Sequence, residues 1–256
     1  MKRAVLLVGL MAVQPVQGNA QAQAGPVEVP LRMAGGRLIV PVMTAGGASL
    51  DFALSTGSAV TVLSESGAAT LGTDGPPTLG GLPIPMDRRS TVPDSSLRAD
   101  GQVLGGMISS NMLNGYDVLI DVPGGKLVLK PIGPRVAWDG VSLSDPIPLR
   151  VFHGVALAFD VMLGGREYPA LLDIGTPVVV VNGGVKNDLA IEDETVSTLT
   201  VGSVTFDRVP VSVRDLDVFR MWSPDGSGVV LVGAPITYEC AIALSWVHRE
   251  MRTCLQ

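Results

Sequence analysis

The sequence predicts an all-β protein built as two homologous lobes. Three observations carry the prediction. Of 256 residues 46% are apolar but only 4% aromatic, so the core is built from Val, Leu, Ile and Ala. The 31 Gly and 19 Pro, with many Val and Thr, favour short strands and turns over long helices. Finally, one strand–turn–strand plan occurs twice, with an offset of 118 residues. A period this long marks two lobes rather than a solenoid.

Taken in order, Lys2 and Arg3 precede the apolar run Ala4 to Val13, and Ala20-Gln21-Ala22 and Ala22-Gln23-Ala24 follow. This is the layout of a secretory signal peptide over residues 1–24, and it predicts a periplasmic or secreted protein. The apolar run is too short to cross a hydrocarbon core of ~30 Å, and no other stretch approaches the ~20 apolar residues of a spanning helix. The mature chain is therefore expected to lack a membrane span.

The first lobe is assigned to residues 25–134. After a polar lead-in, Arg37 to Met43 reads as a strand, with Pro41 placing it at an edge or bulge. Gly46-Gly47 turns the chain and Ala48 to Leu54 returns toward Ser55. The second lobe, residues 135–256, follows a linker at Pro131 to Ser144. There Val155 to Met162 is a strand, Gly164-Gly165 the turn, and Arg166 to Leu172 leads to Asp173. The first Gly of the turn precedes the key position by nine residues in both halves. Downstream, Leu79-Gly80-Gly81-Leu82 matches Val201-Gly202-Ser203-Val204, Leu104 to Ser109 matches Gly228 to Gly233, and Tyr116 to Ile120 matches Tyr238 to Ile242. Four matches in one order exclude coincidence.

Cys240 and Cys254 are the only cysteines. Cys240 starts an apolar strand and Cys254 ends a more polar one, with a turn near Trp246 to His248 midway, so an antiparallel hairpin brings them opposite each other. An exported chain then favours a disulfide. No CxxC or Cys/His spacing points to a metal site, and no cofactor motif is present. The net charge of −6, or about −8 without Lys2 and Arg3, argues against nucleic acid and anionic membranes as partners. A monomer is expected.

The chemistry concentrates where the two copies differ. Tyr168 to Val181 is an apolar run that drives into Asp173, turns on Gly175 and leaves through a second apolar run. A carboxylate ending a buried strand is costly without partners and is a candidate functional group. The first copy, Asp51 to Leu63, has Ser55 in that place.

These segments, Ser55-Thr56-Gly57-Ser58 and Asp173-Ile174-Gly175-Thr176, with Leu231-Val232-Gly233 and the block Gly115 to Asp121 followed by Pro123 to Leu127, resemble the pepsin/retropepsin superfamily of aspartic peptidases in its small bacterial two-lobed form. The resemblance covers nearly all of the chain after residue 24. It implies two homologous β-barrel lobes with a cleft between them, one Asp-Thr/Ser-Gly loop per lobe at the cleft floor, and two carboxylates sharing a proton, one activating water while the other donates to the scissile carbonyl. The chain departs from that pattern. Ser55 replaces the first aspartate. Ile174 replaces the hydroxyl residue that ties the two loops together. Ser109 stands in place of the first paired glycine, and Asn111 where an aspartate often follows.

No other acid fills the gap. Asp51, four residues before Ser55 on one strand, lies ~13 Å away, and Asp74 and Asp87 fall in polar loops. A serine nucleophile at Ser55 requires a base, and His153 and His248 are remote in sequence from both turns. Residues 65–111 should hold the first lobe's flap but contain no Phe, Tyr or Trp; Met86 to Ser90 and Pro93 to Ser96 read as exposed polar loop. Trp138, Trp222 and Trp246 read as packing residues, and Asp121 as hairpin chemistry.

The sequence thus predicts an exported aspartic-peptidase-like protein with Asp173 at the retained catalytic position and Ser55 at the missing one. Thr56, Gly57, Ser58, Gly175 and Thr176 line the floor. The first reading is a pseudo-peptidase that takes a peptide or protein segment into the cleft. The alternatives are an active aspartic endopeptidase using Asp173, and a non-catalytic structural or interaction protein.

Overall fold

The glycine turns and alternating apolar strands fold the chain around three principal sheets. The computed structural model describes residues 25–72, 75–87, 89–134, 138–152, 156–192 and 195–255. The expected signal peptide, Asp74, Arg88 and His153 lie outside the described residues.

In the first half, Arg37–Met43 pairs antiparallel with Ser49–Leu54 across the Gly46-Gly47 turn. Ser49–Leu54 then pairs in parallel with Gly106–Ile108, which pairs antiparallel with Thr61–Ser64. The second half repeats this arrangement with Ala156–Leu163, Arg166–Leu172, Val230–Val232 and Val179–Val181. The register repeats too: Phe52 opposes Gly106 as Ala170 opposes Val230. The second half's sheet closes on itself through Met162 with Thr200, whereas the first half's sheet, with Met43 paired to Thr78 at the matching point, stays open between Leu82–Pro83 and Arg89–Val92 among the described residues. Directly after Thr61–Ser64 and Val179–Val181 a short helix follows, Glu65–Leu71 and Gly183–Leu189, and each has a polar N-cap. Ser64 Oγ accepts from Gly67 N at 2.9 Å, and Asn182 Oδ1 from Val185 N at 3.2 Å, satisfying an amide the helix leaves free.

The third sheet joins the halves. Its order is Val27–Pro30, Lys126–Pro131, Tyr116–Asp121, Ile242–Ser245, Glu250–Thr253, Ile147–Pro148. One buried cluster runs through all three sheets, from Leu38, Phe52 and Ile120 to Phe159, Val232 and Leu244. The connection after Pro131 crosses the outer face of the joining sheet, where Trp138, Val141 and Leu143 pack on Leu119, Val128, Ala241 and Ala243. Cys240 and Cys254 form a disulfide with Cα atoms 5.3 Å apart, flanking the antiparallel pair Ile242–Ser245 and Glu250–Thr253. Among the described residues no helix is long and apolar enough to cross a membrane.

Three local expectations change. Pro41 lies in an interior strand, tolerated because its outer flank falls between the short partners Arg32–Ala34 and Thr78, where no ladder amide is needed. Arg89 and Ser90, expected in an exposed loop, begin the strand Arg89–Val92, parallel to Thr61–Ser64. Asp94–Ser96 is a 3₁₀ turn whose Asp94 Oδ1 accepts from Ser66 N and Oγ at 2.9 and 3.0 Å. Within residues 65–111, where a flap was expected, Arg98–Ala99 and Gln102–Val103 form a short hairpin, and Leu97, Ala99 and Leu104 pack against Ala53 and Ile39.

Candidate functional site

Two loops meet where the paired strands of each half end. Ser55 N donates to Ile108 O at 2.8 Å, and Asp173 N to Val232 O at 2.9 Å, so each loop hangs from the middle strand of its own sheet. That shared suspension brings residues 118 positions apart into contact. Ser55 Oγ donates to Asp173 Oδ1 at 2.8 Å. The same oxygen receives Gly57 N at 3.2 Å and Gly175 N at 2.9 Å, while Thr176 Oγ1 donates to Oδ2 at 3.1 Å. Four donors converge on one carboxylate, and no second carboxylate lies among them.

The approach is close enough to require glycine. A Cβ on Gly57 would fall 2.6 Å from Asp173 Cγ, and one on Gly175 would fall 2.8 Å from Ser55 Cβ. Asp173 is half-buried, whereas Ser55 is only 1% exposed. Ser55 Oγ also accepts from Gly57 N and Ser58 N, both at 3.2 Å, so its proton and lone pairs are committed. A buried, saturated hydroxyl cannot attack a substrate, which removes the serine-nucleophile alternative. Its oxygen acts as a structural anchor for both loops.

Beneath the floor Thr56, fully buried, binds the opposite half with one hydroxyl. Its Oγ1 donates to Leu172 O at 2.9 Å and accepts from Ile174 N at 3.2 Å. The reciprocal pair is missing because Ile174 has no hydroxyl and is buried in the core. The tie between the loops is therefore one-sided.

The two middle strands also end differently. A Cβ on Gly233 would lie 2.2 Å from Val178 O and 2.3 Å from Thr176 O, so the second half needs glycine there. In the first half, Ser109 occupies the matching position, extended at φ −113° and ψ 176°, and hydrogen-bonds Asn111. Ser110 N and Oγ then bind Ser58 O at 3.0 and 2.7 Å, as Ala234 N binds Thr176 O at 2.8 Å. The first loop keeps its shape without the glycine.

Among the described residues no other acid hydrogen-bonds to the floor loops. Asp51 is exposed and paired with Arg32 at 2.6 Å, and Asp87 is exposed. His248 Nε2 sits 2.8 Å from Gly133 O on the joining connection. Among the described residues no cluster of three or more His, Cys, Asp or Glu is placed to hold a metal.

Sequence reasoning missed one part of the site. The turn Gly35-Gly36 reaches the second half, where a Cβ on Gly36 would touch Pro177 Cβ at 2.9 Å. Arg37 Nη1 donates to Gly175 O at 3.2 Å, and Tyr238 Oη donates to Gly36 O at 3.3 Å. Burial raises the Tyr238 pKa above its usual 10.0, keeping the phenol a donor. The available signal was the Gly-Gly pair before Arg37, which reads as lead-in until the fold carries it across.

No family model matches the sequence, and no curated protein does. Solved structures do match: the crystal structure of aspartic proteinase from Irpex lacteus aligns with a TM-score of 0.57 at 13% identity, over 90% of this chain and 97% of that one. The all-β, two-barrel architecture is thus the fold of pepsin-like aspartic proteinases. At this identity the likeness extends to the fold alone.

Proposed function

We propose that this protein is an exported, monomeric pseudo-peptidase that binds an extended peptide or protein segment in its interlobe cleft without cutting it. One observation carries the reading: the position opposite Asp173 is held by the buried hydroxyl of Ser55, donating to Asp173 Oδ1 at 2.8 Å. Hydrolysis by a carboxylate pair needs a base for the water and an acid for the carbonyl. Ser55 supplies neither, and loss of general acid–base catalysis costs on the order of 10²–10⁴-fold in rate. Export rests on the residue 1–24 pattern, and the acidic net charge of −6 supports a protein ligand over nucleic acid.

The test is cleavage of a denatured protein mixture between about pH 3 and 7 by the unmodified protein, Asp173→Asn, Ser55→Asp, and Ser55→Asp with Asp173→Asn. The unmodified protein is expected to be silent while binding an unstructured chain. Ser55→Asp is expected to gain cleavage that the added Asp173→Asn removes. Cleavage by the unmodified protein that Asp173→Asn abolishes overturns the reading in favour of an active aspartic endopeptidase.

A further inference from the structure

A chain lying across Asp173 must rest on the faces of the site-bearing strands turned away from the core. The protein covers these faces itself, and unequally. In the second half Val180 and Leu231 are only 5% and 6% exposed, sealed by the Asp217–Trp222 helix, whose Phe219 is 1% exposed. That helix is held at its far end by Trp222 against Phe152, ring centroids 4.4 Å apart. In the first half the cover is thinner: Leu97, Ala99 and Leu104 pack on Ala53, but Val62 and Met107 stay half-buried. Gly57, beside Asp173, is exposed.

At the junction of the open and closed sides stands Arg37. It crosses from the first half to Gly175 O with one of its five N–H groups. Among the described residues no carboxylate lies within ion-pairing distance of it; Arg89, Arg98, Arg208 and Arg249 also lack one, but all four are exposed to water, whereas Arg37 is half-buried. A half-buried guanidinium without a counter-ion, at the closed end of a half-open apolar face, is built for an anion that arrives along that face.

We infer that the cleft receives a chain end rather than a passing strand: the apolar C-terminal residues of a peptide lie on the first-half face, and their terminal carboxylate is bound by Arg37. This rests on the peptide-binding reading above. A passing strand would need the second face, which Phe219 fills.

The experiment measures anisotropy of an apolar hexapeptide labelled at its N-terminus, with a free C-terminal carboxylate or a C-terminal amide, and of a long unstructured protein, on the purified unmodified protein and on Arg37→Met and Arg37→Lys. The free acid is expected to bind at least ~10-fold tighter than the amide, the ratio that about 1.4 kcal/mol produces. Arg37→Met should erase the difference and Arg37→Lys should retain part of it. Equal or tighter binding of the amide overturns the inference on the unmodified protein alone, whatever the variants do. A preference that persists in Arg37→Met does the same. Tight binding of the long chain with no preference for an end overturns this inference while sparing the peptide-binding reading; failure of all three probes overturns both.

Discussion

Thr56 ties the two loops together beneath the floor with one side chain, and both partners of its hydroxyl are backbone groups with no access to water. Thr56→Val keeps shape and volume but strands the Leu172 carbonyl and the Ile174 amide. Leaving a buried polar group unpaired costs about 1–3 kcal/mol, so the variant should lose roughly 2–4 kcal/mol of stability. A shift in denaturant midpoint at unchanged slope measures it, and a loss under about 0.5 kcal/mol would show that the tie contributes little. Around this residue the sequence was informative because the duplication aligned Ser55 with Asp173 and Thr56 with Ile174, and so showed which oxygens were missing. It could not show that Ser55 would be saturated, since the amides of Gly57 and Ser58 that bind it become visible only with the turn's geometry. Arg37 was not legible at all: its partner lies 138 residues away and no local pattern marks it.

Hairpins were read best and coverings worst. The Gly46-Gly47 and Gly164-Gly165 turns, with apolar alternation on both sides, fixed the strands that suspend the loops, because turn chemistry and period act over a few residues. The same local logic placed Cys240 and Cys254 opposite each other. Their disulfide closes a segment of sequence separation 14, a loop length for which cross-linking contributes about 3 kcal/mol, mainly by limiting the unfolded chain. Cys240→Ser with Cys254→Ser, or reduction, should lower the melting temperature by several degrees, read by circular dichroism. An unchanged melting temperature would mean that the paired strands Ile242–Ser245 and Glu250–Thr253 hold without it. By contrast, Pro93 to Ser96 was read as exposed loop, and nothing in the sequence marked Leu97, Ala99 or the Asp217–Trp222 helix as coverings. Polar neighbours hide a few spaced apolar anchors, Leu97, Ala99 and Phe219, whose partners are set by tertiary packing. A loop reading and a covering element share that composition, and only the fold distinguishes them.

How the halves are joined follows from the same duplication, with a consequence for cooperativity. Tyr116–Asp121 and Ile242–Ser245 are matching strands of the two copies, and they pair with each other, Asp117 opposite Ser245 and Ile120 opposite Ile242. Each copy thereby donates its last hairpin to a common sheet, and the buried cluster runs unbroken from Val29 to Met251. Separating the halves would expose Ile120, Ile242 and Leu244, all fully buried, along with two rows of strand amides and carbonyls. Burial of one large aliphatic side chain is worth about 1.5–3 kcal/mol, so a handful of such residues approaches the total stability of a domain. The protein should therefore unfold as one unit. Calorimetry is expected to show a single transition with equal calorimetric and van't Hoff enthalpies, although the chain carries two copies of one plan. Two resolved transitions would mean that the joining sheet melts before either barrel. In that case the floor, where Ser55 of one half holds Asp173 of the other at 2.8 Å, would come apart before its own strands did.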